Sequence, residues 1–214
     1  MSKTRDIFFI FAGNSLSIAT NILLTPYLVR ALSHADYATY GHTLLATDTL
    51  RTLFACGLST VIYVIFANSK NSKKATLTNN LAAAIALGLT ASLACYICAG
   101  FIAQQFNNPA AQNYIQTYAL AIALTIVISS LQASMIYFKK VKAFVFVQAL
   151  GNFARLAGLF VAIQVYNSLE IAFLAIQIVL TFQALAMAFF IREWFAISLV
   201  KFETIKYHIK TGFS

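Results

Sequence analysis

Between Ala75 and Phe138 the chain runs for 64 residues without one Lys, Arg, Asp or Glu. A helix crosses roughly 30 Å of hydrocarbon with about 20 predominantly apolar residues, so this stretch is too long for one crossing and long enough for two. It carries its own break. Gln104-Gln105-Phe106-Asn107-Asn108-Pro109 is a polar cluster closed by a proline, which lacks a backbone donor and turns Asn108 away from helical geometry. Residues 7–29, 52–69 and 171–191 are also free of formal charge. With 60% hydrophobic and 10% charged residues and a mean hydropathy of +0.78, the chain is composed for lipid. The net charge of +9 is therefore read as membrane topology, and no nucleic-acid partner is expected. Three cysteines, two of them in Cys95-Tyr96-Ile97-Cys98 within an apolar run, give neither an even disulfide framework nor a zinc knuckle.

Apolar runs and their flanks predict spans near 7–29, 40–67, 77–103, 112–137, 144–166 and 170–198. The second and fifth contain charges but continue apolar on both sides for the thickness of a bilayer. The first span is longer than the 7–15 residue core of a secretory signal. Alternate loops then separate the cations sharply. Lys3, Arg5, Lys70, Lys73, Lys74, Lys139, Lys140, Lys142, Arg192, Lys201, Lys206 and Lys210 fall on one side, Arg30 alone on the other, and Arg51 and Arg155 within spans. By the positive-inside rule both termini are expected in the cytoplasm. Trp194 and Phe195 suit an interfacial belt, and Lys201 to Lys210 an amphipathic surface helix. The predicted fold is an all-α integral membrane protein: a six-helix transmembrane lobe over residues 1–200, then an amphipathic cytoplasmic segment over 201–214.

Polar residues recur on single helix faces. Asn14, Ser17, Asn21 and Thr25 share one face of the first span; Gly41, Asp48, Arg51, Thr52, Ala55 and Ser59 share one on the second, with His42 beside it. The fifth carries Gln148, Gly151, Asn152, Arg155, Gly158, Ala162 and Tyr166; the fourth Tyr118, Thr125, Ser129 and Gln132; the sixth Gln177 and Thr181. Small and hydroxyl residues also serve ordinary helix–helix contact, which accounts for many of these positions. Arginine is harder to place: at the bilayer centre it costs about 2.5–3.5 kcal/mol even on translocon scales, so it faces a partner or water. Arg51 and Arg155 both lie near mid-span. Asp48 and Arg51, at i and i+3, can pair without any ligand, but two cations still meet one carboxylate. The surplus positive charge suits phosphate or carboxylate, which guanidinium binds bidentately.

His42 reads as a polar residue near a helix end, Cys95 and Cys98 as small packing residues on the face of Ala84, Gly88 and Ala91, and Arg30 as snorkelling to the interface. Pro26 either kinks the first helix or marks its outer end. No paired carboxylates, HExxH, GxSxG or phosphate-cradling glycine loop occurs, so no enzyme, catalytic residue, metal ligand or cofactor is expected.

Leu24-Thr25-Pro26-Tyr27-Leu28-Val29-Arg30-Ala31-Leu32, then Asp36-Tyr37-Ala38-Thr39-Tyr40-Gly41 and Leu53-Phe54-Ala55-Cys56-Gly57-Leu58-Ser59-Thr60, resemble the start of bacterial polysaccharide flippases of the multidrug and oligosaccharidyl-lipid exporter superfamily. Ser33-His34 stands where a glycine is usual there, and no acidic residue stands just before Gly57. The resemblance implies one six-helix lobe of a two-lobed inner-membrane transporter, here without its C-terminal lobe, as a fragment or truncated product. It implies a lipid-linked oligosaccharide as substrate, moved by alternating access with a proton or sodium ion as the possible coupling ion. Under it, Arg51 and Arg155 attract the pyrophosphate or acidic sugars, Asp48 orients an arginine or carries a proton, and Asn14, Asn21, Gln148 and Asn152 hydrogen-bond sugar hydroxyls. A multidrug extruder and a non-transporting scaffold subunit are the alternatives; the first should show surplus carboxylate, the second should bury both arginines.

Overall fold

A computed structural model describes residues 3–55, 57–58, 61–63 and 73–212, apart from the side chains of part of the first helix and of Ile197. The described residues are helical, with no strand among them. In chain order they form α1 (Lys3–Ala31), α2 (His34–Ala55), α3 (Lys73–Gln105), α4 (Ala111–Tyr118), α5 (Leu120–Tyr137), α6 (Val141–Gln164) and α7 (Leu169–Phe190). Two short 3₁₀ turns (Arg192–Trp194 and Ile197–Leu199) then lead to α8 (Phe202–Gly212).

Among the described residues, four helical stretches are long and apolar enough to cross a membrane: Lys73–Gln105, Ala111–Tyr137, Val141–Gln164 and Leu169–Phe190. The side chains that cover them agree. Phe146, Phe153, Leu185 and Ile97 stand 64%, 58%, 62% and 71% exposed, a display of large apolar groups that water would not tolerate over so wide a surface. This is an all-α, multi-pass membrane protein.

Two predicted spans need correction. The span expected over 40–67 begins earlier, at His34; its first helix runs to Ala55, Gly57 takes a left-handed φ of +61°, Leu58 and residues 61–63 are helical again, and residues 56, 59–60 and 64–67 lie outside the described residues. Glycine alone enters that region without penalty, so an apolar count that passes over Gly57 overruns the helix end. The span expected over 170–198 ends at Phe190, because Arg192 and Glu193 follow and Trp194 folds back to stack on Phe138 with centroids 4.3 Å apart. The predicted break lies where expected: Asn107 takes a φ of 50° just before Pro109. Pro26 does not end α1, which continues to Ala31.

The bundle has a basic end and a far end. Lys73 lies over the Tyr137 ring at 5.7 Å and Lys140 meets Glu193 at 3.5 Å, which gathers the α3 start, the α5–α6 turn and the residues after α7 at one end. At the far end Asn108 donates to Thr39 at 3.0 Å and approaches His42, whose ring stacks on Phe106 at 4.6 Å. Gly13 against Val145 and Tyr27 stacked on Phe160 run α1 alongside α6 in the same direction.

Two kinds of contact hold the bundle. Against α5, α3 presents Ala84, Gly88, Ala91 and Cys95, all buried, and a Cβ on Gly88 would stand 2.8 Å from the Ala123 Cα. Cys98 departs from the expected packing role and faces outward. Elsewhere the core is bulky, with Phe173 fully buried among Tyr40, Tyr114 and Tyr118. The segment after α7 is tied to α3: Asn79 donates to Leu199 O and accepts from Lys201 N, and Thr78 accepts from Ala196 N. The amphipathic segment forms α8 as expected, but it docks with His208 buried rather than lying wholly on a surface.

Candidate functional site

Helices α1, α2, α4, α5, α6 and α7 bring residues to one place, and α2, α5 and α6 do so by repeating polar groups at helical spacing. Tyr37, Tyr40, Leu44, Asp48 and Arg51 run down one face of α2 toward the basic end; Gln148, Asn152 and Arg155 run up α6 away from it. Thr125, Ser129 and Gln132 come from α5, and Leu180 and Gln183 from α7. Between them lie two adjoining cavities that share Arg51, Thr125, Arg155 and Leu180.

The cavity toward the far end has a volume of about 430 Å³ and is lined by Tyr37, Tyr40, Tyr118 and Asp48 besides the shared residues. The cavity toward the basic end, about 230 Å³, is lined by Ser129, Gln132, Gln148, Asn152 and Gln183 besides the shared residues, with no carboxylate among the described residues that line it. The two arginines stand at the junction.

Asp48 Oδ1 lies 3.3 Å from Arg51 Nε, as the i,i+3 spacing predicts. The side chains remain 41% (Arg51) and 61% (Asp48) exposed, so the pair is open to the cavity and worth less than about 1 kcal/mol. Arg155 differs. Its Nε is buried and finds no hydrogen-bond partner among the described residues, and the same holds for Gln183 Oε1, whose amide lies against Gly151 of α6. Buried polar atoms left in that condition cost about 1–3 kcal/mol each, so folding alone does not account for them.

Of the predicted site residues, Arg51, Arg155, Asp48, Gln148 and Asn152 converge on these cavities. Asn14 and Asn21 lie in α1, and their side chains fall outside the described residues. Gln177 is corrected in role. Its Nε2 donates to Thr117 O at 2.7 Å, satisfying a carbonyl released where α4 and α5 meet. Ser92 Oγ serves the other side of that junction, accepting from Ala123 N at 3.2 Å. Gln183, Tyr37 and Tyr40 were not singled out from the sequence. The signal for Gln183 was available, since Ile176, Leu180 and Gln183 follow one helical face.

A separate groove of about 560 Å³, lined by Tyr96, Asn113, Tyr114, Gln116, Thr117 and Glu170, lies toward the far end and contains none of the predicted site residues. No group of three or more His, Cys, Asp or Glu able to hold a metal ion occurs among the described residues. No family model, curated protein or solved structure matches the chain.

Proposed function

We propose that this chain is one lobe of a flippase that carries an isoprenoid-pyrophosphate-linked oligosaccharide across the bacterial inner membrane by alternating access. The reading includes six crossings with both termini cytoplasmic, and a second lobe that closes the cavity. The observation that carries it is the meeting of Arg51 and Arg155, from different helices, at one cavity junction where Asp48 is the only lining carboxylate among the described residues. Guanidinium forks bind phosphate oxygens bidentately, and in a site shielded by low-dielectric walls their attraction is screened far less than in water. Asp48 holds Arg51 in place when substrate is absent and is the one acidic group positioned to carry a coupling proton.

Two features weigh against the other readings. A multidrug extruder needs excess carboxylate for cationic drugs, and this cavity has the reverse balance. A passive scaffold would bury both arginines, whereas the Arg51 side chain is 41% exposed.

The test is complementation of a deletion of the chain's own gene. Wild type should restore export. Arg155→Gln should reach normal membrane abundance and leave lipid-linked oligosaccharide on the cytoplasmic leaflet, while Arg155→Lys restores part of the export because it keeps the charge and loses the fork. Normal export by Arg155→Gln and Arg51→Gln at normal abundance would overturn the reading.

A further inference from the structure

The two cavities at the arginine junction differ in chemistry, and the smaller one says more about what is bound. Its polar lining beyond the arginines is made of amides and hydroxyls, among them Gln132, Asn152, Gln183 and Ser129. A site built for an anion alone presents donors, as the guanidinium groups do. Amide carbonyls bring lone pairs that repel an oxyanion and are satisfied only by a donor. Hydroxyl groups supply both functions at once, so amides facing one another across a small cavity match a ring that carries several hydroxyls.

Gln183 makes this concrete. It is 6% exposed, it lines the cavity, and its Oε1 has no hydrogen-bond partner among the described residues. A fully ionised phosphodiester or pyrophosphate has no O–H to donate to that acceptor. Close by, the buried Arg155 Nε is a donor with no partner among them either. One ligand that presents an oxyanion to Arg155 and a hydroxyl to Gln183 would answer both. The backbone makes room for this arrangement: a Cβ on Gly151 would stand 3.0 Å from both Cδ and Oε1 of Gln183, so glycine there lets the amide lie against α6. The volume of about 230 Å³ suits a single sugar ring and not a chain of them.

We infer that the basic-end cavity is a monosaccharide subsite, taking the sugar joined directly to the phosphate held by Arg51 and Arg155, with Gln183 as the residue that selects it. This rests on the reading of an anionic, sugar-bearing substrate and adds to it a position for the first sugar and a residue for its recognition. The more distal part of the substrate then belongs to the larger, tyrosine-lined cavity or beyond.

The experiment is equilibrium binding to the purified full chain in detergent by isothermal titration, using inorganic phosphate and three sugar phosphates: glucose 1-phosphate, galactose 1-phosphate and N-acetylglucosamine 1-phosphate. At least one sugar phosphate should bind about tenfold more tightly than phosphate, the gain of one well-made buried hydrogen bond to a hydroxyl. Gln183→Leu should bring that ratio close to one. Gly151→Ala, which pushes the amide aside by a few tenths of an ångström, should lower the ratio even if the leucine variant fails to fold. If phosphate binds, is lost in Arg155→Gln, and no sugar phosphate exceeds it, the subsite is wrong and the arginine site stands. A preference that survives both variants removes Gln183 from recognition. If neither phosphate nor any sugar phosphate binds in an Arg155-dependent way, the anionic-substrate reading falls and takes the subsite with it.

Discussion

The seam between α3 and α5 and the cavity at Arg51 and Arg155 are built from opposite choices on helices of the same bundle. Along the seam, Ala84, Gly88, Ala91 and Cys95 let the α3 backbone close on Ala123 until a single Cβ has no room. In the cavity, Arg155 and Gln183 keep buried polar atoms without partners and the helices stand apart around several hundred cubic ångströms. Both use small residues and both were visible as faces of small or polar residues in the sequence. The difference lies in whether the neighbouring helix supplies the missing contact. Where it does, the position belongs to the fold; where it does not, it is free for a ligand.

That contrast can be attacked at each side. The largest effect is expected at the seam: Gly88→Val drives a branched side chain into the Ala123 backbone and should cost about 3 kcal/mol or more, read as loss of folded protein in membranes. Normal abundance of that variant would show the seam to be looser than drawn. At the cavity the opposite pattern should hold, with Arg155→Gln abolishing export while thermal stability is unchanged or raised, since a buried donor without a partner is removed.

His208 gives an intermediate effect. Burial lowers its pKa to about 4 from the ordinary 6.5, so the docked helix α8 favours neutral imidazole. The stability gained by docking α8 is therefore complete above pH 6.5 and is lost progressively as the pH falls toward 4, by up to about 3 kcal/mol. Acid should raise hydrogen exchange in α8 before the rest of the bundle, and His208→Leu should abolish that pH dependence. A smaller loss, about 2 kcal/mol, is expected for Ser92→Ala, which leaves the Ala123 N–H without its acceptor; calorimetry of the purified chain checks it. Least of all, Asp48→Asn should shift stability by less than about 1 kcal/mol, because both partners of its ion pair are substantially exposed; a larger loss would make the pair structural.

Much of this was legible in advance, for particular reasons. The break at residues 104–109 announces itself because polar residues and proline interrupt a charge-free run, and the Asp48–Arg51 pair follows from spacing on one helix. The meeting of Arg51 and Arg155 follows from their matching depth on separate helices, an argument that works when helices cross the same slab, and Gln148 and Asn152 come with Arg155 because they share its helix face. The end of α2 at Ala55 was missed because hydropathy averages over Gly57, whose effect is conformational. Gln177 and Gln183 are both glutamines on α7, on different faces; the neighbouring helices give the first the Thr117 carbonyl and leave the second, in line with Ile176 and Leu180, facing a cavity.

The junction between α4 and α5 has a mechanical consequence. Thr117 O is held by a side chain of α7, and Ala123 N–H by a side chain of α3, so one interrupted helix is stitched to a neighbour on either side of its interruption. A rod fastened at two points to two different supports cannot spin about its own axis. Any reshaping of the cavity that turned Thr125, Ser129 and Gln132 away from the arginines would have to unfasten a stitch first, which makes α3, α5 and α7 the frame of the bundle.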